Sequence, residues 1–194
     1  MFEIEKKYRL PPEQRPLLEK RLVERYGAAR RLREEDVHGF TSAQKHYLRL
    51  RTSGESTKLI AKGPTQLSSD GIRIRPEYEV PIEGAAFEAA RHLVELLTIE
   101  PLPAMRRTRS VWKIAEQAEI VIDDLDALPD QPFVELEVLG TDRESAQATI
   151  RSFEGELGLD PAWQEVKSYA QILVDIPSPS QEVAANPQEN VMND

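Results

Sequence analysis

Apolar and polar side chains recur along this chain at two different periods, and the two periods mark out two kinds of element. In three stretches the apolar positions fall three and four residues apart: Pro12 to Tyr26 through Leu17, Leu18, Leu22 and Val23, Gly84 to Leu97 through Phe87, Ala90, Val94 and Leu97, and Asp142 to Leu157 through Ala146, Ile150 and Phe153. That spacing predicts three amphipathic helices. A short fourth is expected over Lys167 to Leu173. Nearly everything else alternates at period two. The rows are Glu3 to Lys7, Tyr47 to Arg51, Lys58 to Lys62, Ile72 to Glu79, Arg107 to Arg109, Glu119 to Asp123 and Glu135 to Val138, most with charge on one face and apolar side chains on the other. Ser53 to Ser56 and Gly63 to Gly71 read as hairpin loops.

One charged face at period two is ordinarily a solvated outer face. Seven such rows in one chain suggest another arrangement: an antiparallel sheet closed into a barrel, its charge turned inward and its apolar face covered by the helices. The expected class is therefore α+β, a charged tunnel with flanking helices. Packing like charges together in a desolvated space is costly, so the lumen has to be wet with opposite signs interleaved, or filled by a polyanion with divalent metal.

Composition narrows the setting. At 194 residues the chain is most simply one domain, expected over residues 1–176, and the stretch from Pro177 to Asp194 has too few large apolar residues to dock and is expected to be a disordered tail. No apolar run is long enough for a membrane helix, and the N-terminus MFEIEKKYRL has no apolar core of a signal peptide. With no cysteine, disulfides, thiolate metal sites and cysteine nucleophiles are excluded, and a reducing cytoplasm is expected. The net charge of −9 argues against nucleic-acid binding but hides an asymmetry: residues 1–113 carry 22 Lys and Arg against 16 Asp and Glu, residues 114–194 only 3 against 18. The first part is suited to an anion and the second to a cation.

The chemistry follows from the rows. Glu3 and Glu5 lie two apart on one strand face, about 7 Å along the backbone, and Glu135 and Glu137 repeat the arrangement, with Asp123 one strand earlier. An all-oxygen set selects Mg²⁺ or Mn²⁺ over zinc. The cations Lys7, Arg49, Arg51, Lys62, Arg73, Arg75, Arg107 and Arg109 share a face if the strands pair. Arginine forks on opposing walls match a chain of phosphates, so the expected ligand is a polyphosphate. Alanine at Arg49, Arg51 or Lys62 is expected to weaken triphosphate binding and, by relieving repulsion, to leave the empty protein as stable or more so. Nucleotide loops of the GxxxxGK[ST] and GxGxxG types and a GxSxG elbow are absent. His38, His46 and His92 lack metal-ligand spacing and read as surface or structural, Tyr169 as a helix packing residue, and Trp112 and Trp163 as core or rim.

Glu3-Ile4-Glu5-Lys6-Lys7 resembles the ExExK signature of the CYTH superfamily, the triphosphate tunnel metalloenzymes. In family order there follow Tyr47 to Arg51, Lys62-Gly63-Pro64, Arg75 to Glu79, Arg107 to Arg109, Asp123 to Leu128, Phe133 to Glu137 and Ser168-Tyr169, so the likeness spans roughly residues 3–173. It is nearest to the class IV adenylyl cyclase-like branch. The resemblance implies an eight-stranded antiparallel tunnel. In it Glu3, Glu5, Asp123, Glu135 and Glu137 bind metal, the eight cations grip a triphosphate, and Lys7, Lys62 and Arg107 are catalytic. Glu77 and Glu79 are expected to pair with neighbouring arginines. Two departures stand out: Arg107 where the family often has Lys, and a longer Pro129 to Pro132 turn, which bears on Asp123. The expected function is a metal-dependent triphosphatase acting on inorganic triphosphate, thiamine triphosphate or a nucleoside triphosphate. The alternatives are a class IV adenylyl cyclase and a non-catalytic polyphosphate- or nucleotide-binding module, in each case a monomer or homodimer.

Overall fold

The computed structural model describes residues 1–41 and 46–176; the expected tail, 177–194, lies outside the described residues. Eight strands form the body: β1 (Phe2–Arg9), β2 (Arg30–Phe40), β3 (Tyr47–Ser53), β4 (Ser56–Lys62), β6 (Arg73–Ile82), β8 (Met105–Ala115), β9 (Ala118–Leu125) and β10 (Pro132–Gly140). Three two-residue strands extend it: β5 (Gln66–Leu67), β7 (Glu100–Pro101) and β11 (Gln164–Glu165). The path β1-β10-β9-β8-β2-β3-β4-β6 is antiparallel throughout, and β6 returns to β1 through Glu3↔Arg75 and Glu5↔Arg73. That last ladder closes the sheet into a barrel and leaves no open edge among these eight strands.

The period-two rows have apolar outer faces, and the helices cover them. Ile4 and Tyr8 of β1, Ile120 and Ile122 of β9, and Val134 and Leu136 of β10 are buried in one cluster. Over them lie α1 (Arg15–Tyr26), through Leu18 and Leu22, and α3 (Arg143–Leu157), through Ile150 and Phe153. The Asp142 carboxylate accepts from the backbone N–H groups of Glu144 and Ser145 at the start of α3, and Gly158 ends that helix at φ 63°. A smaller cluster joins Leu48 and Leu50 of β3 to Ala90 and Val94 of α2 (Phe87–Leu97). The short helix α4 (Tyr169–Val174) plays another part: Tyr169, Ile172 and Leu173 pack on Met105, Leu125 and Phe133. By strand alternation those three share the face of Arg107, Asp123 and Glu135, so α4 covers one end of the barrel.

Each expected helix is present, and the expected rows lie in seven strands of the barrel. The eighth strand that the resemblance implies is β2, which is not among the period-two rows. Its outward residues are charged as well as its inward ones, with Arg33 paired to Asp126 and Arg106 donating to Glu35 at 2.8 Å, so no apolar face marks the period. The Gly63 to Gly71 loop contains β5, which pairs with β6. No described helix is long and apolar enough to cross a membrane.

Candidate active site

The eight cations singled out in the sequence all face one cavity of about 870 Å³ inside the barrel. They are not a field of like charge. Lys62 Nζ lies 2.6 Å from Glu3 and 3.0 Å from Glu77, and Arg49 lies 3.9 Å from Glu77 and 3.4 Å from Asp36. Arg51 continues the chain at 2.8 Å from Asp36 and 3.4 Å from Glu34, which is 2.7 Å from Arg107. Arg107 then meets Asp123 at 3.2 Å, and Arg109 joins Asp123 at 2.7 Å to Glu135 at 2.6 Å. Lys7, 3.1 Å from Glu135, brings this alternating chain back to β1. On the β1–β6 seam Arg75 bridges Glu3 and Glu5, and Arg73 donates to Glu5 at 2.9 Å.

This alternation explains how ionised groups survive burial. Burial alone would raise the Glu3 carboxyl, but Arg75 and Lys62 hold it well below the carboxylate range. Burial likewise opposes ionisation of Asp36 and Glu34; Arg51 and Arg49 hold Asp36 far down, and Arg107 and Arg51 lower Glu34 to about 2. Lys62 is lowered too, by burial and then by Arg75, a shift that for an ammonium opposes the charge instead of favouring it. Glu34 and Asp36 were missed in the sequence because they belong to β2. Their signal was the alternation Leu32, Glu34, Asp36, His38, masked by the charged outer face.

The predicted carboxylates separate into three settings. Glu5, Glu135 and Glu137 each offer an oxygen within 4.8 Å of the others. Three carboxylates with no nitrogen or sulfur donor suit a hard divalent cation. The Glu137 carboxyl also carries the mark of uncompensated negative charge: burial and the neighbouring Glu135 push it well above its ordinary value despite Arg109. Glu135 lies well below its own, because Lys7 and Arg109 outweigh its burial. Glu3 lines the same cavity but is engaged by Lys62 and Arg75. Asp123 is fully buried behind the arginines, taking Arg109 on both oxygens at 2.8 and 2.7 Å, Arg107 at 3.2 Å and the Tyr169 hydroxyl at 2.9 Å.

Tyr169 thus does more than pack. Besides donating to Asp123 it places its ring centroid 3.7 Å from Lys7 Nζ, while Lys7 also donates to the Lys167 carbonyl at 3.3 Å. Ser168 caps α4 in a reciprocal box with Gln171, which fixes where that ring stands.

A family model for the CYTH domain matches residues 1–169. The chain belongs to the CYTH domain family. The barrel is the CYTH tunnel fold, and solved structures repeat it: a protein from Pyrococcus horikoshii OT3 is 22% identical, with 88% of this chain and 99% of that one covered at a TM-score of 0.70. A protein described as a candidate adenylate cyclase from Vibrio parahaemolyticus is 21% identical, covering 90% and 98%, at 0.66. A candidate adenylyl cyclase from Hippeastrum, described as revealing a dominant triphosphatase activity, is 19% identical, covering 89% and 94%, at 0.57. At these identities the likeness of this CYTH domain to each is one of fold. No curated protein matches the chain in sequence.

Proposed function

We propose that this CYTH domain is a divalent-metal-dependent phosphoryl-transfer enzyme whose substrate is a triphosphate, with water as nucleophile: a triphosphatase. One observation carries the reading. Eight cations from five strands converge on a single cavity beside the Glu5–Glu135–Glu137 cluster. Family membership supports enzymatic activity, and the Hippeastrum relative, described by its triphosphatase activity, lends support to hydrolysis. Absence of cysteine supports a cytoplasmic setting.

In this reading the arginine forks and the two lysines hold the phosphate chain and neutralise the charge it carries, which is most of what phosphoryl transfer demands of a protein. Glu5, Glu135 and Glu137 would hold Mg²⁺ or Mn²⁺, with Glu3 two residues along the same strand. Such an ion supplies Lewis-acid stabilisation of phosphoryl oxygens. Asp123 holds Arg107 and Arg109 in a fixed fork, and Tyr169 steadies Lys7.

A second reading rests on size. Ligand cavities for molecules with an organic body run to roughly 300–1,000 Å³, and 870 Å³ accommodates more than a bare triphosphate. A nucleoside triphosphate would fit, and attack of its ribose 3′-hydroxyl on the α-phosphate would give a cyclic nucleotide and pyrophosphate. The deciding experiment incubates the protein with Mg²⁺ or Mn²⁺ and, separately, inorganic triphosphate, thiamine triphosphate and ATP, resolving orthophosphate, pyrophosphate and cyclic AMP. Metal-dependent orthophosphate release is the expected result; cyclic AMP with pyrophosphate would establish the cyclase instead, and binding without turnover would reduce the tunnel to a binding module.

A further inference from the structure

Phosphoryl transfer to water leaves a proton to be removed, and the ion pairs just described are poorly suited to take it. Their carboxylates are engaged with cations, and the cluster carboxylate pushed toward its protonated form belongs to the metal end. Of the two tyrosines that line the cavity, one stands outside that network. Tyr47 of β3 precedes Arg49 by two residues on the same face and is directly opposite Lys62 in the β3–β4 ladder. A phosphate held by Arg49 and Lys62 therefore has the Tyr47 hydroxyl as a neighbour.

Behind Tyr47 lies His38 of β2, 3% exposed. Its Nε2 is 2.7 Å from the Pro103 carbonyl oxygen, and its Nδ1 is 2.7 Å from the Tyr47 hydroxyl. A carbonyl only accepts, so Nε2 carries the ring proton and Nδ1 presents a lone pair. The Tyr47 hydroxyl must then donate to Nδ1, which leaves its own oxygen lone pairs free to accept. Edge-on contacts of Tyr47 with His38 and Phe40, at centroid separations of 5.5 and 5.9 Å, hold the phenol in this orientation. The charged groups around the imidazole are Asp36 on its own strand and Arg49 and Arg51 on β3, with Glu100 of β7 paired beside the adjoining Phe40. Burial keeps the ring neutral, below its ordinary value, while Asp36 favours its charging.

We propose that Tyr47 and His38 form a proton relay for the nucleophile, Tyr47 as the catalytic residue that meets the water and His38 as the acceptor behind it. The inference rests on the phosphoryl-transfer reading. As the water oxygen bonds to the terminal phosphorus, the bond from that phosphorus to the bridging oxygen breaks and its electron pair leaves on the diphosphate. The water proton passes to Tyr47 Oη, and the Tyr47 proton passes to His38 Nδ1. After product release the proton returns from His38 through Tyr47 to solvent.

The test compares wild type, Tyr47→Phe and His38→Asn in metal-supported triphosphate hydrolysis across pH, with triphosphate-induced thermal shift measured in parallel. Asparagine offers an oxygen to the Tyr47 hydroxyl but takes no proton. Both variants are expected to lose kcat by about 100-fold or more, the span of general acid–base contributions. KM and the thermal shift should hold, and the acidic limb of the pH–rate profile should flatten. Tyr47→Phe removes only an oxygen, so it decides the matter if His38→Asn does not fold. Wild-type kcat within threefold in Tyr47→Phe, with its acidic limb intact, overturns the relay while leaving the triphosphatase standing. A raised KM and lost thermal shift at unchanged kcat overturns it in favour of a binding role. A wild-type protein that binds triphosphate without hydrolysing it overturns the function and the relay together.

Discussion

Among single residues, Glu5 has the most to decide, because it joins the acidic trio and also receives Arg73 and Arg75. Glu5→Gln should abolish most metal-dependent turnover while triphosphate still raises the melting temperature in the absence of metal. Full activity at limiting Mg²⁺ would remove Glu5 from the metal site. Its neighbour Glu137 sets a pH dependence. A carboxyl whose folded-state pKa is raised keeps its proton above the ordinary carboxylate range, so a cation binding there must displace that proton. Metal affinity should accordingly strengthen with pH until Glu137 ionises, with proton release measurable by calorimetry in buffers of different ionisation enthalpy. Affinity flat from pH 5 to 8 would mean that Glu137 is not a ligand.

At the scale of elements, the sequence was legible wherever one strand face was apolar. Ile4 against Glu3 and Glu5, or Leu136 against Glu135 and Glu137, made both the period and the inward face plain. β2 broke the rule because its charges are satisfied on both sides, and with it went Glu34, Asp36 and the buried His38. Pairing partners were equally out of reach of the pattern, since Asp123 and Glu137 look alike in sequence and differ only in which arginines the ladder brings to them. β2 is approached closely by the chain at Gly39, where an added Cβ would stand 2.7 Å from the Glu100 carbonyl oxygen and 2.7 Å from Thr98 Cγ2. Gly39→Ala should force the segment bearing β7 away from β2 and lower stability by about 1–3 kcal/mol, the usual range for overpacking. An unchanged melting temperature would show that this crossing yields freely.

For the molecule as a whole, the interleaved ion pairs reverse an expectation drawn from the cationic rows alone. Removing Lys62 relieves its repulsion with Arg75, but it leaves Glu77 with the distant Arg49 as its remaining ion-pair partner among the described residues and takes one partner from Glu3. Lys62→Ala should therefore lower the stability of the empty protein by about 1–3 kcal/mol as well as weaken triphosphate binding, because a buried group is left short of its partner. Thermal unfolding with and without triphosphate reads both effects, and an empty variant as stable as wild type would restore the repulsion account. The closing seam has a consequence of another kind, in time. β1 leaves the ribosome before the rest of the barrel, yet its ladder neighbours within the barrel are β6, from residue 73 onward, and β10, which ends at Gly140. A nascent chain must carry β1 unpaired until β6 is made and without its second barrel neighbour until β10 follows, and pairings this distant in sequence form slowly. Glu5 meets Glu135 and Glu137 only when β1 pairs with β10, the ladder of greatest sequence separation in the barrel, so in refolding the capacity to take up metal should return with the last and slowest phase, after most of the β-signal has already recovered.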